Sequence, residues 1–334
     1  MTEQELQQLA DEIVARVQKG RSGGRRQEGV GGRSQESGQG TGLTLSRGGA
    51  QPVPSIQKPD PSGARDIAWR GPNVETAAWK PSSGPRRVAD FVDHTLLKAE
   101  ATRAEIVKLC AEAKQNRFAA VCVNATWVEL CVQELKGSGV AVATVVGFPL
   151  GATTIRTKAG EAREAVASGA NEVDMVAAVG RLKSGEWHYV EDDIRAVVEA
   201  SRPGIVKVII ESSLLTPEEI VKVSALSKEA GAHFVKTSTG FHSSGGATPE
   251  AVRLMRMVVG DALGVKASGG VRDCQTALAM IASGANRIGT SSGVGMVTCL
   301  GPGPLPLAEL LKQPHAHSSC KSGTCQPAGG GQPY

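Results

Sequence analysis

Aromatic side chains make up only 3% of this 334-residue chain, with four Trp, two Tyr and five Phe. Few rings are therefore available to stack on bases, no dense Lys/Arg face is interleaved with them, and the net charge is only +4, which together argue against nucleic-acid binding. No run of about 18 apolar residues occurs, and the N-terminus lacks the basic start and apolar stretch of a signal peptide, so no membrane span or export is expected. The seven cysteines are an odd number. Cys110, Cys122 and Cys131 fall within helix or strand patterns rather than at loop staples, as expected of a reducing cytoplasm. Cys320 and Cys325, with His315 and His317 nearby, match no zinc spacing, so a metal site is not expected there. The first β/α turn has no GxGxxG, which counts against a dinucleotide fold.

What is present is 40% apolar residues and 41 glycines, the composition of an aliphatic, turn-rich α/β protein with a sizeable core. Ahead of that core, Leu6, Leu9, Ala10, Ile13, Val14 and Val17 line one face of a helix predicted over residues 3–18. Thr2 with Glu5 can cap its start, and Gly20 can end it. Residues 1–19 thus read as an amphipathic helix. It can fold back on its own domain, pair with its copy, or dock on another protein. Residues 20–85 are a glycine- and proline-rich flexible linker, and residues 301–334 a flexible polar tail.

From Val88 onward, strand and helix patterns alternate eight times. The strand candidates are Ala89–Asp93, Phe118–Val123, Val140–Gly147, Glu172–Ala177, Ile205–Glu211, His233–Thr237, Leu263–Ala267 and Asn286–Gly289. Helical patterns at Arg103–Lys114, Thr126–Lys136, Thr154–Ser168, Tyr189–Ser201, Pro217–Glu229, Pro249–Val259 and Cys274–Ser283 separate them. Eight units with near-continuous apolar strands predict an α/β fold of the closed (β/α)8 kind, a TIM barrel, over residues 86–300. In such barrels the chemistry sits at the C-terminal ends of the strands.

The polar residues at those ends are Asp93, Cys122, Asn124, Asp174, Lys207, Glu211, Lys236, Lys266, Ser291 and Ser292. Lys236 lies in an apolar run, Phe234-Val-Lys-Thr-Ser-Thr239, where a hydrated ammonium has no ordinary reason to be. Lys266 repeats the arrangement before a glycine-rich turn. Two ammonium groups facing one cavity repel, so one becomes a free amine able to attack a carbonyl. Asp174 shares a strand face with Glu172 and is either their counter-ion or a proton shuttle. The turns Ser268-Gly-Gly270 and Gly289-Thr-Ser-Ser292 are ordinary turn chemistry or a phosphate cradle.

The stretches Asp93-His-Thr-Leu-Leu-Lys98, Ala120-Val-Cys-Val-Asn124, Val145-Val-Gly-Phe-Pro149, Glu172-Val-Asp174, Val206-Lys-Val-Ile-Ile-Glu211, Val235-Lys-Thr-Ser-Thr-Gly240 and Lys266-Ala-Ser-Gly-Gly-Val-Arg272 resemble those of the deoxyribose-phosphate aldolases. The resemblance runs from Val88 to Val294. It implies a class I aldolase that reversibly splits 2-deoxy-D-ribose 5-phosphate through a lysine imine, without a cofactor. It also implies that Lys236 forms the Schiff base, Lys266 lowers its pKa and Asp174 relays protons. Asp93, Cys122, Lys207, Gly240, Gly269, Gly270, Ser291 and Ser292 are then the substrate-binding set, with Cys122 at the aldehyde and the glycines and serines at the phosphate. Phe241 stands where some relatives carry a lysine, and Ala125 where many have proline. A terminal tyrosine, Tyr334, matches a proton-relay role found in some relatives. The N-terminal helix and linker resemble the encapsulation peptides of bacterial microcompartments, implying a shell-protein partner for residues 3–18. A homo-oligomer, a dimer, is expected. Other readings are a Schiff-base aldolase for a different phosphorylated sugar, or an idle barrel serving as cargo or scaffold.

Overall fold

The computed structural model describes residues 87–300, Leu305 and Leu307–Leu311, together with six helical, exposed positions (4, 5, 8, 11, 12 and 15) near the N-terminus. The apolar stripe of the first helix, the linker over 20–85, and Tyr334 lie outside the described residues.

The eight strands are β1 (Val92–Leu96), β2 (Ala120–Val123), β3 (Ala141–Val146), β4 (Glu172–Val176), β5 (Ile205–Ile209), β6 (Phe234–Lys236), β7 (Gly264–Ser268) and β8 (Arg287–Thr290). They pair in parallel in chain order, and β8 closes on β1 through Asp93 opposite Gly289. The helices are α1 (Arg103–Asn116), α2 (Val128–Glu134), α3 (Ile155–Ala167), α4 (Val179–Lys183), α5 (Trp187–Ala200), α6 (Pro217–Glu229), α7 (Pro249–Val259), α8 (Cys274–Ala282), α9 (Gly293–Leu300) and α10 (Leu307–Leu311). The expected closed barrel is therefore the fold. Among the described residues no helix is long and apolar enough to cross a membrane.

Several helix starts are written in the sequence. Thr102, Thr154, Thr216, Thr248 and Asp273 each accept a first-turn N–H, and Thr102 with Glu105 and Thr216 with Glu219 form reciprocal capping boxes. Each cap stabilises its helix by about 1 kcal/mol. The long core lies between sheet and helices, where Val121, Val173, Met175, Val206, Val208, Val235, Val265 and Ile288 point outward from their strands. Their alternate neighbours point into the barrel, where charged side chains stand beside apolar ones such as Cys122, Ala143 and Val145.

Several boundaries differ from the sequence pattern; β2, for example, starts at Ala120 rather than Phe118, and β5 ends at Ile209 rather than Glu211. The first strand is Val92–Leu96 rather than Ala89–Asp93, because Asp90 accepts the Arg87 N–H and guanidinium and winds Val88–Phe91 into a 3-10 turn. The helix expected over Thr126–Lys136 is confined to Val128–Glu134, since Ala125–Trp127 also form a 3-10 turn after Asn124. Beyond Leu300, within the segment expected to be a flexible tail, Leu307–Leu311 form α10, with Leu310 buried.

Candidate active site

The register puts the charges on one level. Lys236 lies opposite Lys266, Asp174 opposite Lys207, and Lys266 opposite Arg287. Lys207 and Lys266 are wholly buried, and Lys236 is 3% exposed. Both Lys236 Nζ and Lys266 Nζ donate to Oδ2 of Asp174, each at 2.8 Å, while Lys207 Nζ donates to Oδ1 at 2.7 Å. The second strand-end lysine expected beside Lys236 is thus in direct electrostatic reach of it, through one shared carboxylate oxygen.

Beneath this layer, Lys266 Nζ forms an ion pair 2.6 Å from Asp93 Oδ2 without hydrogen-bond alignment. Lys207 reaches Glu172 at 2.5 Å. Arg287 closes the floor, donating to Asp93 Oδ1 at 2.6 Å and to Glu172 Oε1 at 2.9 Å, with its guanidinium over the Phe234 ring. Gly289 makes room for Lys266, since a Cβ there would stand 3.0 Å from Lys266 Cε.

Burial shifts these groups in opposite directions according to their partners. It pushes the Lys236 amine down from its ordinary value, against Asp174, and Lys266 adds to the fall. Burial also works against the charge on Lys266, but Asp174 and Asp93 outweigh it and hold this amine well above the ordinary lysine range. The Asp174 carboxyl is held well below its ordinary value because Lys207, Lys236 and Lys266 overcome its own desolvation. The repulsion between lysines inferred from the sequence is therefore one contribution to the lowering of the Lys236 amine, and desolvation is the larger one. Cys122 lies inside the barrel against Leu97, Ala143 and Val145, and burial pushes its thiol up, so it stays protonated and a poor nucleophile.

The loops after β6 and β7 approach one another closely. Gly240, Gly269 and Gly270 all have positive φ, and a Cβ on Gly269 would lie 3.0 Å from Gly246 Cα and 3.2 Å from Ser238 Cβ. Ser268 Oγ ties the two loops together by donating to Ser238 O at 2.6 Å. Ser291 is exposed, and Ser292 immediately precedes α9, its carbonyl accepting the Met296 N–H at 3.2 Å. Phe241, in the same loop as Gly240, packs edge-on against Phe148 from the loop after β3, ring centroids 5.1 Å apart. A cleft of about 430 Å³ opens at this side of the mouth, lined by Asn124, Val145, Phe148 and Leu150.

Asp93 and Lys207, placed by sequence in the substrate-binding set, are fully buried here with their charges turned to the ion network. Arg287 and the working partners of Glu172 were not assigned from sequence. The available signal was an arginine at the start of an apolar strand, two residues before Gly289 and so on its inward face. Glu211, at φ 51, accepts the Thr239 hydroxyl at 2.5 Å and so steadies the loop that follows Lys236.

A family model described as DeoC/LacD family aldolase matches residues 87–298. A deoxyribose-phosphate aldolase from Geobacillus sp. (strain WCH70) is 62% identical over 211 residues, covering 63% of this chain and 94% of that protein. One from Thermotoga maritima is 57% identical over 216 residues, covering 65% and 87%. Among solved structures, a tetrameric deoxyribose phosphate aldolase from Aeropyrum pernix superposes with a TM-score of 0.58 at 31% identity, covering 62% of this chain and 88% of that one.

Proposed function

The chain belongs to the DeoC/LacD family of aldolases, and on that premise we propose that it reversibly cleaves 2-deoxy-D-ribose 5-phosphate to acetaldehyde and D-glyceraldehyde 3-phosphate through an imine on Lys236. The observation that carries this reading is the shared oxygen: one lysine with a lowered pKa and one with a raised pKa on Oδ2 of the same buried aspartate.

The neutral Lys236 amine attacks C1 of the open-chain sugar, and loss of water leaves a protonated imine. The C3 hydroxyl gives its proton to a base, for which Asp174 is the candidate, acting directly or through a water. The C2–C3 bonding pair flows into the imine, C3 becomes the aldehyde of glyceraldehyde 3-phosphate, and an enamine remains on Lys236. Protonation of the enamine at C2 and addition of water release acetaldehyde and return the amine. Lys266 stays charged throughout and opposes a second charge on Lys236. Lys207 holds the other oxygen of Asp174, so the carboxylate is fixed in orientation.

Gly240, Gly269 and Gly270 are proposed phosphate contacts, supported by the close approach of the loops after β6 and β7, and Ser291 and Ser292 after β8 join them on resemblance. Phe241 adds no charge there, so binding rests on N–H groups and hydroxyls. Asp93 and Lys207 contribute from below by holding Lys266 and Asp174 in place. Cys122 forms part of the inner wall, and the proton-relay role of Tyr334 follows from its resemblance to the terminal tyrosine of some relatives.

Incubation with acetaldehyde and borohydride, followed by peptide mapping, tests the reading. A covalent adduct on Lys236 is expected; an unmodified chain would sink it and favour an idle barrel. Comparison of deoxyribose 5-phosphate with fructose and 2-keto sugar phosphates as substrates separates this aldolase from its relatives.

The spacing of Leu6, Leu9, Ala10, Ile13, Val14 and Val17 supports a docking role for residues 3–18 on a microcompartment shell protein, with the enzyme otherwise cytoplasmic and a homodimer. Removal of residues 1–20 should leave turnover intact and abolish co-purification with shells. Turnover lost on deletion would instead make the helix part of the barrel.

A further inference from the structure

Six of the eight strands contribute charge to the barrel interior. β1 supplies Asp93, β4 supplies Glu172 and Asp174, and β5, β6, β7 and β8 supply Lys207, Lys236, Lys266 and Arg287. β2 offers only the protonated Cys122 thiol, and β3 offers Ala143 and Val145. His233, before β6, accepts the Val206 N–H on Nδ1 and is kept from charging chiefly by burial. Glu211, after β5, is turned to Thr239. Among the described residues, three carboxylates thus face four basic groups in the buried barrel interior, and one positive charge is in excess.

Where the excess is relieved depends on who holds the carboxylate oxygens. Arg287 cannot give up a proton, and it occupies Asp93 Oδ1 and both oxygens of Glu172. Lys207 reaches Glu172 and Asp174, and Lys266 reaches Asp93 and Asp174. Lys236 has one carboxylate oxygen, and it shares that with Lys266. It is the least compensated of the four, and the cheapest to neutralise.

We propose that Arg287, on the barrel floor and away from the reacting atoms, is a positioning residue that leaves Lys236 uncharged by supplying the fourth positive charge. This deepens the proposed function and rests on it. Without Arg287, three carboxylates would be matched by three ammonium groups and Lys236 would hold its proton. Without Glu172, the excess would grow and Lys236 would lose its proton more readily. A floor residue that only filled space would give no such pair of opposite effects.

The test is the pH dependence of borohydride trapping with acetaldehyde at Lys236, mapped by mass spectrometry, in the full chain and its R287M, R287K, E172Q and E172Q/R287M variants. For R287M the acid limb should move up by about one pH unit or more, the scale of a nearby buried charge. R287K should stay near the parent, E172Q should move the other way, and the double variant should return toward the parent. Should R287M fail to fold, E172Q and the double variant still decide the matter. Limbs that do not move, or that move together in R287M and E172Q, would overturn the charge count while the parent still forms its adduct. No adduct in the parent at any pH would instead remove the function on which the inference rests.

Discussion

Lys236 and Lys266 approach the same atom, Oδ2 of Asp174, each at 2.8 Å. Two ammonium groups on one oxygen are a costly arrangement in a buried site, and the loss of one proton relieves it. That relationship ties the protonation of the proposed nucleophile to a carboxylate positioned to move protons.

Replacement of Lys236 by Met or Arg should abolish turnover and adduct formation, because neither side chain offers a free amine. Cleavage of deoxyribose 5-phosphate followed by coupled reduction of the aldehyde product is the measurement, with near-parental thermal unfolding showing that the fold survives. Appreciable turnover by either variant would remove Lys236 from the mechanism.

Asp174→Asn keeps the shape and removes the charge. Turnover should fall by about 10²–10⁴-fold, the range for a lost acid–base group, with a smaller change in KM. Steady-state kinetics check this. A drop confined to KM would make Asp174 a substrate contact rather than a proton carrier.

Gly289→Ala would place a Cβ 2.9 Å from Ser268 Cβ and 3.0 Å from Lys266 Cε. Overpacking of this kind costs about 1–3 kcal/mol, and here it also pushes Lys266 from its pair with Asp174. We expect a loss of activity out of proportion to the fall in stability, read by kinetics and denaturant unfolding of the same sample. A variant as active as the parent would mean that Lys266 is free to shift without consequence.

Lys158 and Asp193 form a second buried pair, 2.6 Å apart, between α3 and α5, and Lys158 also donates to Val176 O at the end of β4. Burial lowers the Lys158 amine and raises the Asp193 carboxyl from their ordinary values. Lys158→Ala leaves Asp193 without its partner and should cost about 3–5 kcal/mol, whereas a joint K158M/D193L replacement should cost less. Urea unfolding of the two variants distinguishes them.

Stability should form a dome in pH. Asp93, Glu172 and Asp174 have lowered pKa values in the fold despite burial, because Arg287 and the lysines favour their charged forms. Their contribution is present above the ordinary carboxylate values, 3.8 and 4.5, and is lost as pH falls below them. Lys207 and Lys266 are raised against burial by their carboxylates, so their contribution is present below 10.5 and lost as pH climbs past it. Lys236, lowered by burial, acts oppositely between its folded value and 10.5, where stability gains as pH rises. Denaturant midpoints across pH should fall at both extremes, and a flat acid side would contradict the network.

The period-two alternation in Glu172–Val176 and the eight repeats of strand and helix were enough to determine the barrel, because apolar spacing and threonine caps act locally. Lys236, Lys266 and Asp174 stood out for the same reason: a charged side chain within an apolar run needs no neighbour to be anomalous. Which oxygen each nitrogen takes, and that Arg287 from β8 shares Asp93 and Glu172 with lysines from β5 and β7, depends on barrel closure. Residues as far apart as 93 and 287 become neighbours only when β8 pairs with β1, so the sign and size of each pKa shift are properties of the closed sheet rather than of any segment.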